Sequence, residues 1–173
     1  MVNAYEEHQY FRQRWLMALF ALLFLVNLYA LVKQLFLGVP VGNNPAPDGV
    51  VLFSFFFFLL LLILLFSAHL DLKIDQEGIS FRYFPFVLRW RTFEWKDIEE
   101  LELKKIRPLQ DMGGWGLRPV AGGGIGYTVR GNKVIRILLK KGKIRYLGIS
   151  DIERVREALQ RYAPLKRESA STE

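Results

Sequence analysis

Two apolar runs dominate the hydropathy pattern of this chain, at 16–37 and 50–70, separated by a short loop. The second contains Phe55-Phe56-Phe57-Phe58 followed by seven consecutive aliphatic residues and Phe66, and it is uncharged. A hydrocarbon core of about 30 Å takes roughly 20 apolar residues in a helix, and each run supplies them. The pattern predicts membrane-spanning helices over 15–37 and 50–70. The first run is too long for the apolar core of a cleaved leader and lacks a convincing small-residue cleavage site, so it is expected to remain as a span.

The loop 38–49 reads Gly-Val-Pro-Val-Gly-Asn-Asn-Pro-Ala-Pro-Asp-Gly. Its prolines fix φ and remove donors, so neither helix continues through it. It is long enough for a tight antiparallel hairpin and too short for a domain. From Leu70 onward the period changes to two. Leu70-Asp71-Leu72-Lys73-Ile74-Asp75 alternates, Gln76-Glu77-Gly78 turns, and Ile79-Ser80-Phe81-Arg82-Tyr83-Phe84 alternates again, which predicts a β-hairpin. Further strands are expected over 88–95, 98–106, 126–129, 134–140 and 143–149. The turns fall at Arg130-Gly131-Asn132 and Lys141-Gly142.

The ordered chain ends in a helix. Ser150-Asp151-Ile152-Glu153 has capping-box spacing, with either Ser150 or Asp151 able to cap. Ile152, Val155, Leu159 and Tyr162 form one apolar stripe, and Pro164 stops the helix. Residues 164–173 read as a polar tail. The expected fold class is an α+β membrane protein: a two-helix transmembrane hairpin, then a seven-stranded antiparallel, partly open barrel over 71–163, capped by the C-terminal helix.

Charge orients the hairpin. The chain carries a net +7, yet Arg12, Arg14 and Lys33 balance Glu6, Glu7 and Asp48 in residues 1–70, so the excess belongs to the remainder. The loop has no Lys or Arg, whereas Arg12 and Arg14 precede the first run and Lys73 and Arg82 follow the second. The positive-inside rule then places both termini in the cytoplasm, with 1–14 as a cytoplasmic tail, in a multi-pass protein of the cytoplasmic membrane. Lys33 is the dissenter, and near a helix end it can snorkel to the interface.

The chain from Leu70 resembles bacterial membrane-anchored families with a pleckstrin-homology-like (PH-like) domain. The likeness covers roughly 70–163. It rests on the strand pair with Gly78-Ile79 at its turn, Trp95-Lys96-Asp97-Ile98, Gly113-Gly114-Trp115-Gly116-Leu117-Arg118, Tyr127-Thr128-Val129, Gly131 and the basic hairpin ending in Leu147-Gly148. Such families largely lack an assigned activity, so the resemblance implies architecture far more than function.

Candidate chemistry is sparse. The chain has no cysteine, which removes disulfides, thiolate metal sites and cysteine nucleophiles. His8 and His69 stand alone in sequence, so no metal site and no cofactor is expected. The glycine stretches lack the Lys-Ser/Thr of a phosphate loop and open no helix after a strand. Gly113–Gly116 reads as a bend turning Trp115 against the barrel, or as a loop that offers Trp115 and Arg118 to a partner. Asp97, Glu99, Glu100 and Glu102 sit beside lysines as a charged surface rather than an acid–base pair. The chain is therefore expected not to be an enzyme.

The basic hairpin is the main candidate binding site. Arg136, Lys140, Lys141, Lys143 and Arg145 cluster near one tip, with Ile135, Ile137 and Leu139 expected to face the core. Such a surface suits anionic lipid headgroups or a protein partner, and it equally suits plain solvation. Nothing interleaves aromatic and basic residues as an RNA-binding sheet does, so nucleic acid is not expected. Asn27, about 18 Å above the inner interface, either bonds its own backbone or joins a second copy of the chain. The sequence thus predicts a binding or scaffold module at the membrane, or a structural subunit packed through its hairpin.

Overall fold

The computed structural model describes residues 4–11, 13–120 and 122–163. Arg12 and the predicted polar tail 164–173 lie outside the described residues. The described residues divide into two compact units: 13–67, and 4–11 together with 68–120 and 122–163. The fold is α+β.

The smaller unit is a pair of antiparallel helices. Helix α1 (Arg14–Leu31) runs into a π-helical turn, Val32–Phe36, and α2 covers Asp48–Ser67. Both are long and apolar enough to cross a membrane. Asp48 lies in the first turn of α2, where a negative charge complements the helix dipole. Gln34 Nε2 donates to the Ala46 carbonyl at 2.7 Å and to Asp48 Oδ1 at 2.8 Å, tying the end of the first helix to the start of the second.

The larger unit holds two sheets. Strands β1 (Tyr5–Tyr10), β2 (His69–Ile74), β3 (Gly78–Phe84) and β4 (Val87–Glu94) form an antiparallel sheet in that order. Strands β5 (Ile98–Lys105), β6 (Gly116–Pro119), β7 (Ile125–Thr128), β8 (Lys133–Leu139) and β9 (Ile144–Ile149) form a second sheet ordered β5-β8-β9-β7-β6. A short helix α3 (Pro108–Met112) precedes β6, and α4 (Ile152–Tyr162) follows β9.

The seven strands read from alternation correspond to β2–β5 and β7–β9. Three expectations are corrected. The larger unit has nine strands among its described residues, not seven. The second sheet is mixed rather than antiparallel, because β7 runs parallel to β9. And residues read as a tail form β1, paired with β2 along its whole length from Tyr5↔Ile74 to Tyr10↔His69.

One core lies between the sheets. Leu70, Leu72 and Ile74 alternate inward from β2, Ile79, Phe81 and Tyr83 from β3, Ile135 and Ile137 from β8, and Leu147 and Ile149 from β9. Helix α4 adds Val155 and Ala158 to the same core, with Ile152, Leu159 and Tyr162 packed around them. Of the two candidate caps, Asp151 is the one used, accepting from the Glu153 and Arg154 amides. Burial pushes the Tyr83 hydroxyl up to about 12. The β2–β3 turn is held by Asp75 Oδ1, which accepts from the amides of Glu77 and Gly78. A Cβ on Gly78 would lie 2.1 Å from the backbone oxygen of Phe93, so only glycine permits this approach of β3 to β4.

Candidate functional site

The outer face of the first sheet carries a buried carboxylate. His8, Asp71 and Arg82 face one another across β1, β2 and β3 by register. Asp71 is 2% exposed although its strand position points away from the core. His8 Nδ1 lies 2.7 Å from Asp71 Oδ1, and Arg82 Nε donates to Oδ2 at 2.8 Å. His69 Nε2 lies 3.7 Å from the same Oδ2. The His69 ring stacks on Phe84, 5.3 Å between centroids, and the Arg82 guanidinium covers Trp90 at 5.4 Å. Burial raises the Asp71 carboxyl, but hydrogen bonds from His8 and Arg82 and the charges of His69 and Arg82 outweigh it, holding the group below the usual carboxylate range.

Both oxygens of Asp71 are engaged and the side chain is closed off from solvent. The cluster laces three strands together and offers no general base. Among the described residues no group of three or more His, Asp or Glu side chains is placed to hold a metal ion. Sequence reasoning missed the cluster because His8 and His69 are far apart in the chain, and only the β1–β2 pairing unites them. The one available signal was the alternation of Glu6, His8 and Tyr10.

The basic hairpin splits. Arg136 pairs with Tyr146 in register and Ile137 with Arg145, so Arg136 and Arg145 point to opposite faces of the second sheet. Arg136 is half-buried on the outer face and bonds Glu100 Oε2 at 3.3 Å, with Glu102 Oε2 at 3.7 Å. Burial lowers its affinity for the proton, but Glu100 and Tyr146 outweigh that and raise it. Arg145 donates to the carbonyl of its neighbour Ile144. Lys140, Lys141 and Lys143 remain together at the tip, exposed and without a carboxylate partner among the described residues.

Hydrogen bonds locate that tip. The Lys140 amide donates to Asp97 O at 2.9 Å, and the Trp95 amide two residues earlier donates to Glu77 O. Trp95 Nε1 donates to Asp75 O at 3.0 Å. The three lysines therefore sit beside the β2–β3 turn. Phe11 and Ala68, where the chain leaves for α1 and returns from α2, lie at the other end of the sheet, joined by Phe11 N–H to Ala68 O at 2.9 Å. The length of β2 puts roughly 20 Å between the two ends.

Trp115 and Arg118 do come together. Arg118 donates from Nη1 to Gly113 O at 2.6 Å and from Nε to Trp115 O at 3.0 Å, closing the glycine bend on itself. Trp115 Nε1 donates to Gly131 O at 2.8 Å. Arg118 thus braces the glycine bend, and Trp115 ties it to the β7–β8 turn. Asn27 donates to the Leu23 carbonyl at 2.8 Å, four residues back in its own helix. No protein-family model matches this chain, and no curated protein matches it.

Proposed function

We propose that this chain is a membrane-anchored, non-catalytic binding module. In this reading α1 and α2 cross the cytoplasmic membrane as a hairpin, both termini are cytoplasmic, and the β-rich unit is a PH-like variant that offers Lys140, Lys141 and Lys143 to an acidic protein partner. Pairing of β1 with β2 supports the same-side termini, because the two strands flank the hairpin in sequence. Two sheets sharing one core with a C-terminal helix support the PH-like reading; the parallel β7–β9 pair and the added β1 and β6 depart from it.

The observation that carries the proposal is the lysine tip itself: Lys140, Lys141 and Lys143 are exposed together beside the β2–β3 turn, with no carboxylate partner among the described residues. Exposed lysines grouped at one turn and without carboxylate partners of their own suit an acidic protein surface.

The test is recovery of partners from mild detergent with the tagged full-length protein, alongside its Lys140→Glu/Lys141→Glu/Lys143→Glu variant and a native mass. A stoichiometric partner should be lost by about tenfold or more in the variant, and its yield should fall as salt rises. The same partner at the same yield in the variant would refute the lysine assignment. A multiple of the chain's own mass, with nothing else bound, would replace this reading by a homo-oligomeric scaffold.

A further inference from the structure

We propose that the β3–β4 tip, Pro85–Trp90, is an interfacial anchor that enters the headgroup layer of the membrane. The proposal rests on the reading of α1 and α2 as membrane spans. Its first support is position. Tyr10, His69 and Phe84 form the last paired row across β1, β2 and β3, and the turn at Pro85-Phe86 lies immediately beyond that row. This is the end of the sheet where Phe11 and Ala68 meet. Of the two ends, it is the one the chain ties to the hairpin.

Its second support is composition. Phe86 is 63% exposed, Leu88 62% and Trp90 46%. On a strand, Leu88 and Trp90 share one face while Arg89 and Arg91 share the other. Arg89 and Arg91 are exposed and have no carboxylate partner among the described residues. Large aromatic and aliphatic tips flanked by arginine are what a headgroup layer accommodates: rings at the boundary, guanidinium groups on phosphate. β4 is an edge strand of its sheet, where exposed apolar side chains would otherwise invite association.

Its third support is rigidity. The Phe86 ring stacks on buried Tyr83, 5.9 Å between centroids and 14° between planes. Arg82, fixed by Asp71, holds Trp90 from the same face. The tip is therefore presented in one conformation before any membrane is met, which lowers the ordering cost of insertion.

The cysteine-free sequence makes the test clean. Single variants Phe86→Cys, Leu88→Cys, Lys141→Cys and Leu60→Cys of the full chain are labelled with an environment-sensitive fluorophore and reconstituted into phosphatidylcholine–phosphatidylglycerol nanodiscs. Nitroxide-bearing lipids then report depth. Position 60, within α2, should be quenched by deep nitroxides. Positions 86 and 88 should emit at shorter wavelength than 141 and be quenched by shallow nitroxides about twofold or more above it. If 60 is quenched while 86 and 88 match 141, the tip does not enter the membrane and this proposal fails alone. If 86 and 88 are shielded from water yet untouched by lipid nitroxides, a protein covers the tip and the proposal fails in that direction. If 60 itself escapes quenching, the membrane reading falls and takes this inference with it.

Discussion

Deleting residues 1–10 should unfold the β-rich unit, whereas replacing 12–67 by a two-residue turn should leave it folded and water-soluble. β1 pairs with β2 over six consecutive positions, so its loss turns β2 into an unpaired edge. It also removes contacts that reach across the fold. Gln9 is fully buried and donates to Gly148 O at 2.7 Å, and Glu7 Oε1 accepts from the Ser150 amide at 2.8 Å, just before α4. His8 leaves Asp71 with one oxygen bare. Together these should cost about 5 kcal/mol or more, comparable with the whole stability of an ordinary domain. The excision works because Phe11 N and Ala68 O are already hydrogen-bonded at 2.9 Å, so an Asn-Gly turn can close the strands as a hairpin. Amide-proton dispersion and a cooperative thermal transition decide the matter. A folded 68–163 fragment lacking β1 would overturn the prediction, as would an unfolded turn-linked unit.

The second large effect is expected for Asp71→Asn. The amide keeps the shape but not the charge, and it presents an NH₂ to donors on one side. Removing one member of a buried charge cluster costs about 3–5 kcal/mol when its partners are also buried. Here the Arg82 side chain is 37% exposed, so water recovers part of the loss and about 2–4 kcal/mol is expected. For a unit of this size that corresponds to a fall in Tm of roughly 10 °C or more. The pH dependence has a definite sign. The folded carboxyl is held below its unfolded value, so its contribution is fully present above the ordinary carboxylate range and is lost as pH falls through the folded value. The Tm gap between wild type and variant should be open near pH 5 and should begin to close below about pH 4. A gap that persists at low pH would mean that the variant is destabilised through packing rather than charge.

The first strands of the β-rich unit were legible because their residues alternate, in β2 with Leu70, Leu72 and Ile74 inward and Asp71 and Lys73 outward. β1 was not legible, because its core-facing positions are Tyr5, Glu7 and Gln9. The inward polar side chains are held by particular partners, Gly148 for the Gln9 amide nitrogen and Ser150 for Glu7, and no window of local sequence contains those partners. β6 reads Gly-Leu-Arg-Pro, beginning and ending in residues that are poor in strands, so it carries no strand signal. Parallel pairing of β7 with β9 is likewise a property of the crossover and not of either strand's pattern.

The basic hairpin was legible as a cluster but not as a surface. Whether Arg136 and Arg145 share a face depends on where the β8–β9 turn closes, and the observed bond from Leu139 N to Lys143 O sets the register that separates them. Which end of the sheet carries the lysines follows from the Asp97–Lys140 link, a contact between residues 43 positions apart that sequence alone does not announce.

The placement of β1 before the hairpin and β2 after it has a consequence for biosynthesis. β1 leaves the ribosome first, yet its partner follows only after both apolar helices have been made, and the Gln9 bond to Gly148 waits for nearly the whole chain. In the proposed reading of α1 and α2 as membrane spans, a domain of such non-local closure finishes folding only after both helices have been inserted. If a translocon released only one of the two helices across the membrane, β1 and β2 would be stranded in different compartments. On that reading β2 would keep an open edge, and the β-rich unit would close only in chains whose two helices had both been inserted.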